Sequence, residues 1–494
     1  MLDFIGIGLG PFNLSLASLI HQKTDLKYVF FEQKEQFDWH AGMQLPNTVL
    51  QVPFMADLVS MVDPTSPFSF LNYLRHHQRL YKFYFLEQPH IPRREYNHYC
   101  QWVAQQLDDI QYQTRVLEIE PQQSGFRVLV DHQGIQKSFL CRNLIIGSGN
   151  IPALPNCLKE IQKQLPEQCV HSAEYMTRTQ RNLSGDVVVL GSGQSAAEVF
   201  IDLFDHQKTK EKHQFNLHWF TRSQGFFPME YTPLGLEYFS PDYIKHFYEL
   251  PEHLKEQQLQ QQALLYKGIS AKTLRDIYEK MYHRTVANSG MQTYLHSQCE
   301  LKQAEVLNHQ KIRLYFQHLD TAESFYLDCD AVIAATGYST PKFDFMKQLE
   351  PYIKLDQQKR WKISKDYRLI HQLNGKIFVQ NQEMHSHGVG TPDLGLGAHR
   401  AATIINQLLD QPLYQLNDIQ QTFQNFDLEQ NPKIILMEKN RSIEDQVFEQ
   451  NTVQKKLNLK TNDSIEATKA ASNTVKKVVP TQPTSVHSTY EKLV

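Results

Sequence analysis

The chain opens on a short apolar run, LDFIGI at residues 2–7, followed by glycines and then by Leu14, Leu16, Ala17 and Leu19 in a helical pattern. A second apolar run, KYVFFEQ at 27–33, comes next. Unbroken apolar runs suit buried strands and the intervening pattern suits a helix, so the order predicts strand, glycine turn, helix, strand: the opening of a βαβ unit. The same grammar returns in DVVVLGSGQSAAEVFIDLF at 186–204, with FNLHWFTRS at 215–223 as its following strand. Two such units imply two nucleotide ligands, or one ligand and a degenerate copy.

Two further apolar strands stop at glycine, RNLIIGSGNIPALP at 142–155 and DCDAVIAATGYSTP at 328–341. They flank the second unit and suit a chain that leaves one domain and returns to it. The expected fold is α/β, with two Rossmann-like dinucleotide-binding domains, the second inserted in the first. Residues 1–160 form the first part of the first domain, and 161–330 the inserted domain with a substrate-lining helical segment. Residues 331–430 return to the first domain, and 431–494 are a C-terminal extension. Beyond Phe448 no aromatic residue occurs until Tyr490, so 450–494 is expected to be mostly disordered, with a short helix over 437–449.

At 494 residues the chain exceeds one hydrophobic core, and a hydrophobic share of 41% excludes wholesale disorder. A formal charge of -3 gives no global field to gather nucleic acid or an anionic membrane. Six scattered cysteines lack the spacing of a disulfide framework or a zinc site; they read as reduced thiols of a cytoplasmic protein, and no metal is expected. The first residues have no basic lead-in and their apolar run is broken by glycine, proline and asparagine, so neither a signal peptide nor a membrane span is expected.

The glycine turns carry the candidate chemistry. In Gly6-x-Gly8-x-Gly10-Pro11, Gly6 suits a tight turn, Gly8 suits close approach of a pyrophosphate, and the helix amides face its negative charge. Glu32 ends the next strand, placed to accept hydrogen bonds from a ribose 2′-hydroxyl and to repel a 2′-phosphate. This site suits FAD or NAD. In Gly191-Ser192-Gly193-Gln194-Ser195-Ala196 the following strand ends in Arg222 and Ser223 instead of an acid, which suits the 2′-phosphate of NADPH; a plain solvated arginine is the alternative. Opposite charge preferences suggest a flavoprotein reduced by NADPH across a cleft between domains.

With GIGLGPFNLSLA at 6–17, FDWHAGMQLPNTVLQVPFMADLVSMVDPTSPFSFLNYL at 37–74, GSGQSAAEVF at 191–200, EYFSPDYI at 237–244, GISAKTLRDIYEKMYHR at 268–284, ATGY at 335–338 and HSHGVGTPDLGLGAHRAATI at 385–404, the sequence resembles the class B flavin monooxygenases. More narrowly it resembles the siderophore-type N-hydroxylating monooxygenases of lysine, ornithine and small diamines, most of all the putrescine/diamine branch. The resemblance covers about residues 1–410.

It implies FAD at the first turn, with Pro11, Asn13, Trp39, Met43 and Gln51 beside the flavin and Gln51 near its reactive edge. It implies NADPH at Gly191, Gly193, Gln194 and Ser195, with Arg222 on the phosphate. The Gly388–Leu396 segment resembles a loop closing on flavin and substrate, with Thr391, Pro392, Asp393 and Leu394 as contacts; a simple capped loop is the alternative. Gln51 and Asn288 are the candidate catalytic residues, Asn288 at the distal end of the substrate, although a turn glutamine and a surface asparagine would fit equally. The implied reaction adds O2 at the flavin C4a as a hydroperoxide, whose distal oxygen is taken by a neutral amine. The expected partners are a small-molecule amine and O2, with a homotetramer or dimer allowed.

In amino-acid-hydroxylating relatives the stretch equivalent to FMADL carries a lysine, associated with the substrate α-carboxylate, where this chain has Ala56. No Lys or Arg lies between Lys34 and Arg75. A carboxylate in a dry site without its cation is costly, so the departure favours putrescine, converted to N-hydroxyputrescine for a hydroxamate siderophore, with cadaverine, diaminopropane and histamine behind it. The alternative is side-chain hydroxylation of lysine or ornithine, with Lys267 or Arg284 serving the carboxylate.

Overall fold

The computed structural model describes residues 1–178, 183–207, 215–286, 291–416, 420–428, 431 and 433–434. The chain divides into a compact unit, Met1–Phe426, and a second unit, Asp427–Val494. The expected helix at 437–449 and the tail at 450–494 lie outside the described residues.

Two sheets organise the larger unit. The first contains β1 (Leu2–Ile7), β2 (Tyr28–Phe31), β3 (Ile110–Gln111), β4 (Thr114–Gln122), β5 (Gly125–His132) and β6 (Ile135–Ile146), in the order β3-β2-β1-β6-β5-β4. The early part of β6 pairs antiparallel with β5, while its last residues run parallel to β1. Burial follows that division, because a parallel strand covered on both faces must be apolar: Asn143 aside, Leu144, Ile145 and Ile146 are fully buried hydrophobics.

After β7 (Ile151–Pro152) the chain builds a second sheet from β8 (Cys169–His171), β9 (Gly185–Leu190), β10 (Phe215–Phe220) and β11 (Thr293–His296). An antiparallel trio follows, β12 (Cys299–Val306), β13 (Ile312–His318) and β14 (Ser324–Cys329). Then β15 (Ala331–Ala334) enters the second sheet, whose order is β11-β10-β9-β15-β8. β16 (Tyr338–Ser339) pairs antiparallel with β7, so the outward and returning crossings form one ribbon. β17 (Ile377–Val379) finally lies parallel to β6 in the first sheet.

This is the two-domain fold with an inserted second domain. Its second sheet extends past the expected end at residue 330, because β15 is bonded to β9 and β8. Its core also begins before residue 161, since Leu158 packs with Cys169 and Val188. Five helices matter below: α1 (Pro11–Ile20), α2 (Arg93–Ala104), α3 (Gln194–His206), α4 (Ala271–Thr285) and α5 (Gly397–Leu408). Among the described residues no helix is long and apolar enough to cross a membrane.

Candidate cofactor and substrate site

The first turn is built by its neighbours. A β-carbon on Gly6 would stand 2.1 Å from the Phe30 ring, so only glycine lets β1 pass β2 here. Gly8 has φ +81° and a β-carbon there would meet the Gly147 carbonyl at 2.9 Å. Gly10 differs: at φ -83° and ψ 179° any residue is allowed, and nothing stands nearer than 4.0 Å to its β-carbon position. Its open side is where a pyrophosphate would approach the start of α1, and Pro11, buried at the first helical position, needs no amide partner there. Glu32, just beyond β2 and buried, accepts from the Leu9 amide at 2.7 Å and the Lys34 amide at 2.9 Å. The carboxylate is thereby held against the turn that it serves.

The second turn repeats this plan. A β-carbon on Gly191 would meet the Ala335 carbonyl at 2.3 Å, whereas Gly193, at φ -100°, has nothing nearer than 3.9 Å. The Gly191 amide donates to the Phe220 carbonyl at 3.0 Å, so the end of β10 lies beside the turn. Arg222, two residues on, is exposed, and Ser195 in the first turn of α3 is half-buried. Open glycines at both helix starts, an acid behind one and an arginine behind the other, fit FAD at the first turn and NADPH at the second.

At three of the expected cofactor contacts the side chain is engaged by the protein itself. The Asn13 side chain donates to the Gly8 carbonyl at 2.7 Å and the Ile7 carbonyl at 3.3 Å, and accepts from Gln380 Nε2 at 2.5 Å. It is 1% exposed and staples the turn to the segment after β17. Met43 is 2% exposed because its side chain sits in the second sheet's core with Val170, Tyr175 and Val187. Gln194 donates to Glu198 Oε1 at 3.1 Å and Thr273 Oγ1 at 3.0 Å, and accepts from the Ser270 amide at 2.8 Å. Both ends of this amide are committed to joining α3 to α4, leaving only the backbone for a nucleotide.

The other expected residues differ in burial and bonding. The Trp39 amide donates to Asn97 Oδ1 at 2.8 Å, and its ring meets Tyr96 edge-on at 5.2 Å. Gln51 is half-buried, and its Nε2 is buried without a partner, a donor in want of an acceptor. The Thr391 hydroxyl, at 2% residue exposure, is likewise unpartnered. Pro392 is exposed, while Leu394 packs on the first core. Asn288 lies outside the described residues. Arg284 donates to Gln207 Oε1 at 2.9 Å and the Phe204 carbonyl at 2.6 Å, so its guanidinium is engaged at the far end of α3.

Around the loop lie Arg400, Glu383 and Tyr231, which sequence reading missed, together with Asp393 and Ala56, which it named. Arg400 on α5 pairs with Glu383 at 3.0 Å, at 1% and 0% side-chain exposure, and donates to the Thr391 carbonyl at 2.5 Å. Burial raises the Glu383 carboxyl above its ordinary range. Asp393 accepts from the Gly395 amide at 2.7 Å, and burial pushes its carboxyl up to about 6. Tyr231 is pushed up to about 12, by burial first and then by the nearby Asp393 charge. A β-carbon on Gly395 would stand 2.8 Å from Asp393 Oδ1 and 3.8 Å from the Ala56 methyl, so carboxylate and methyl flank one glycine. Arg400, a charge followed by Ala401 and Ala402 in the helix, was the available sequence signal.

Comparison with known proteins bears on this arrangement. The family model for L-lysine 6-monooxygenase/L-ornithine 5-monooxygenase matches residues 1–340. The chain is 42% identical over 439 residues to the rhizobactin siderophore biosynthesis protein RhbE of Rhizobium meliloti, covering 86% of this chain and 95% of that one. It is 38% identical over 432 residues to the putrescine N-hydroxylase of Shewanella oneidensis, covering 86% and 84%. The FAD-bound cadaverine monooxygenase DfoA of Erwinia amylovora superposes with a TM-score of 0.80 at 34% identity, covering 86% of this chain and 98% of that one.

Proposed function

Because the chain belongs to the L-lysine 6-monooxygenase/L-ornithine 5-monooxygenase family, we propose that its substrate within that family is a small diamine, putrescine foremost, and that it makes N-hydroxyputrescine for a hydroxamate siderophore. The enzyme is an FAD- and NADPH-dependent N-monooxygenase of a diamine or amino acid. Bound FAD and NADPH supply two electrons and the activation of O2, so that one oxygen atom joins the amine nitrogen and the other leaves as water, with NADP+ as the spent coenzyme.

The residues of this chain do the binding and orienting. The amides at the starts of α1 and α3 would face the two pyrophosphates, with Glu32 on one ribose and Arg222 on the other's phosphate. Gln51 Nε2 would donate at the flavin side without bringing a charge. The reacting amine must lose its proton, and an apolar recess favours the neutral form.

The observation that carries the diamine reading is the pairing of Ala56, 6% exposed, with Asp393 across Gly395. An amino-acid carboxylate would meet a methyl group and a like charge there, whereas the second ammonium of a diamine would meet an opposite charge. The name of the Shewanella relative points the same way.

The test is a panel of putrescine, cadaverine, diaminopropane, histamine, ornithine and lysine, scored by kcat/KM for hydroxylamine formation. Putrescine should lead, and Asp393→Asn should lower its kcat/KM with FAD content unchanged. Asp393 is neutral below about 6 and charged above it, so wild-type kcat/KM for putrescine should rise with pH through about 6 and the variant should lose that step. A lead for ornithine or lysine would reject the diamine reading.

A further inference from the structure

Where the two domains meet, the first sends a piece of itself into the second. A β-carbon on Gly42 would stand 1.9 Å from the Ala173 carbonyl, and the Met43 and Leu45 side chains belong to the second sheet's core. Behind this inserted turn lies Arg93, the first residue of α2, whose own amide is tied to the Thr48 carbonyl at 3.0 Å. Its guanidinium donates to the Met43 carbonyl at 2.7 Å and, through two nitrogens at 2.9 Å each, to both carboxylate oxygens of Glu198. Side-chain exposure is 12% for Arg93 and 4% for Glu198.

Glu198 lies one turn inside α3 between buried Ala197 and Val199, an acid in an apolar stretch. Gln194, at the start of that helix, bonds to the same carboxylate and reaches the cap of α4. One turn along α2 from Arg93, Asn97 holds the Trp39 amide. A single helix of the first domain therefore grips both the turn bearing Trp39 and the helix that begins at the second glycine turn.

We propose that Arg93 and Glu198 form a strut that sets the orientation of the NADPH-binding helix relative to the flavin-side backbone, making both of them positioning residues for hydride transfer; this rests on the FAD and NADPH reading above. A forked guanidinium–carboxylate pair holds one geometry through two parallel bonds, which apolar contact between the same helices does not. Desolvation opposes such a buried pair, so apolar replacement of both partners together should keep the fold, with only the Met43 carbonyl losing its Arg93 donor. Orientation and stability can thus be separated by experiment.

The experiment compares the wild-type holoenzyme with Arg93→Met/Glu198→Met, Glu198→Gln and Arg93→Lys, measuring FAD content, thermal midpoint and anaerobic reduction by a series of NADPH concentrations. The double variant should keep its FAD, lose only a few degrees of midpoint through the Met43 carbonyl, and bind NADPH within about twofold of wild type, while its limiting reduction rate falls about tenfold, as misplacement of reactants predicts. Glu198→Gln and Arg93→Lys should fall between, each keeping part of the fork. A double variant reduced at the wild-type rate would overturn the strut, and so would a loss confined to NADPH affinity. Loss of FAD from the isosteric Glu198→Gln would also overturn it, by making the pair a folding requirement. Failure of NADPH to reduce the wild-type enzyme would instead overturn the cofactor reading itself.

Discussion

The two glycine turns are built alike and finished differently. Each helix begins at an open glycine in extended conformation, and each turn also carries a glycine that its neighbours require, Gly8 in one and Gly191 in the other. In each, an amide side chain near the helix start, Asn13 or Gln194, is committed to the protein's own structure. They part at the next strand. Glu32 is buried and bonded to the Leu9 amide of its turn, while Arg222 stands exposed beside its own. The acid is bonded into the fold, whereas the arginine is exposed and its protein interaction is with the Glu300 charge. On a shared backbone plan, the two side chains proposed to choose the nucleotide are thus coupled to stability to different degrees.

Glu32→Ala breaks the comparison hardest. It leaves the buried Leu9 amide without its acceptor, a loss of about 1–3 kcal/mol, and it removes the ribose partner. FAD content in the purified protein and its thermal midpoint should fall together. Gly10→Ala separates the two effects, because the backbone allows it and the nearest surrounding atom to the added β-carbon, the Gly147 carbonyl oxygen, is 4.0 Å away. The thermal midpoint without added flavin should hold, while overpacking against FAD, about 1–3 kcal/mol, weakens flavin affinity about ten- to hundredfold in a spectral titration. Arg222→Ala should act least, raising KM for NADPH severalfold and leaving NADH reduction nearly unchanged. Equal losses with both coenzymes would show that this arginine, like Glu32, supports the fold.

The strand, turn, helix and strand of each nucleotide unit were legible because they are local: apolar runs, glycines and helical spacing lie within about 30 residues of one another. The inserted second domain was legible too, from strands that end in glycine on both sides of it. Side-chain direction was not legible. Asn13 and Gln194 look like ligand contacts because they follow the glycines, yet their partners are Gln380, Ser270 and Thr273, far along the chain. Met43 lies between Trp39 and Gln51 in sequence, but its side chain crosses into the other domain's core. Glu198 in Ala-Ala-Glu-Val-Phe was a visible anomaly, an acid among buried positions; that it meets Arg93 could not be read 105 residues away.

The sequence by itself determined the fold class, the two nucleotide turns and the opposite charges behind them, since backbone geometry and local charge depend on neighbours in the chain. Only the tertiary structure decided which polar side chains are occupied by the protein and which, like the Gln51 amide, are left without a partner. It alone brought Asp393 beside Ala56 and Arg93 against Glu198. The reason is that a buried polar group must find a partner wherever packing puts one, and packing joins positions whose separation along the chain carries no signal.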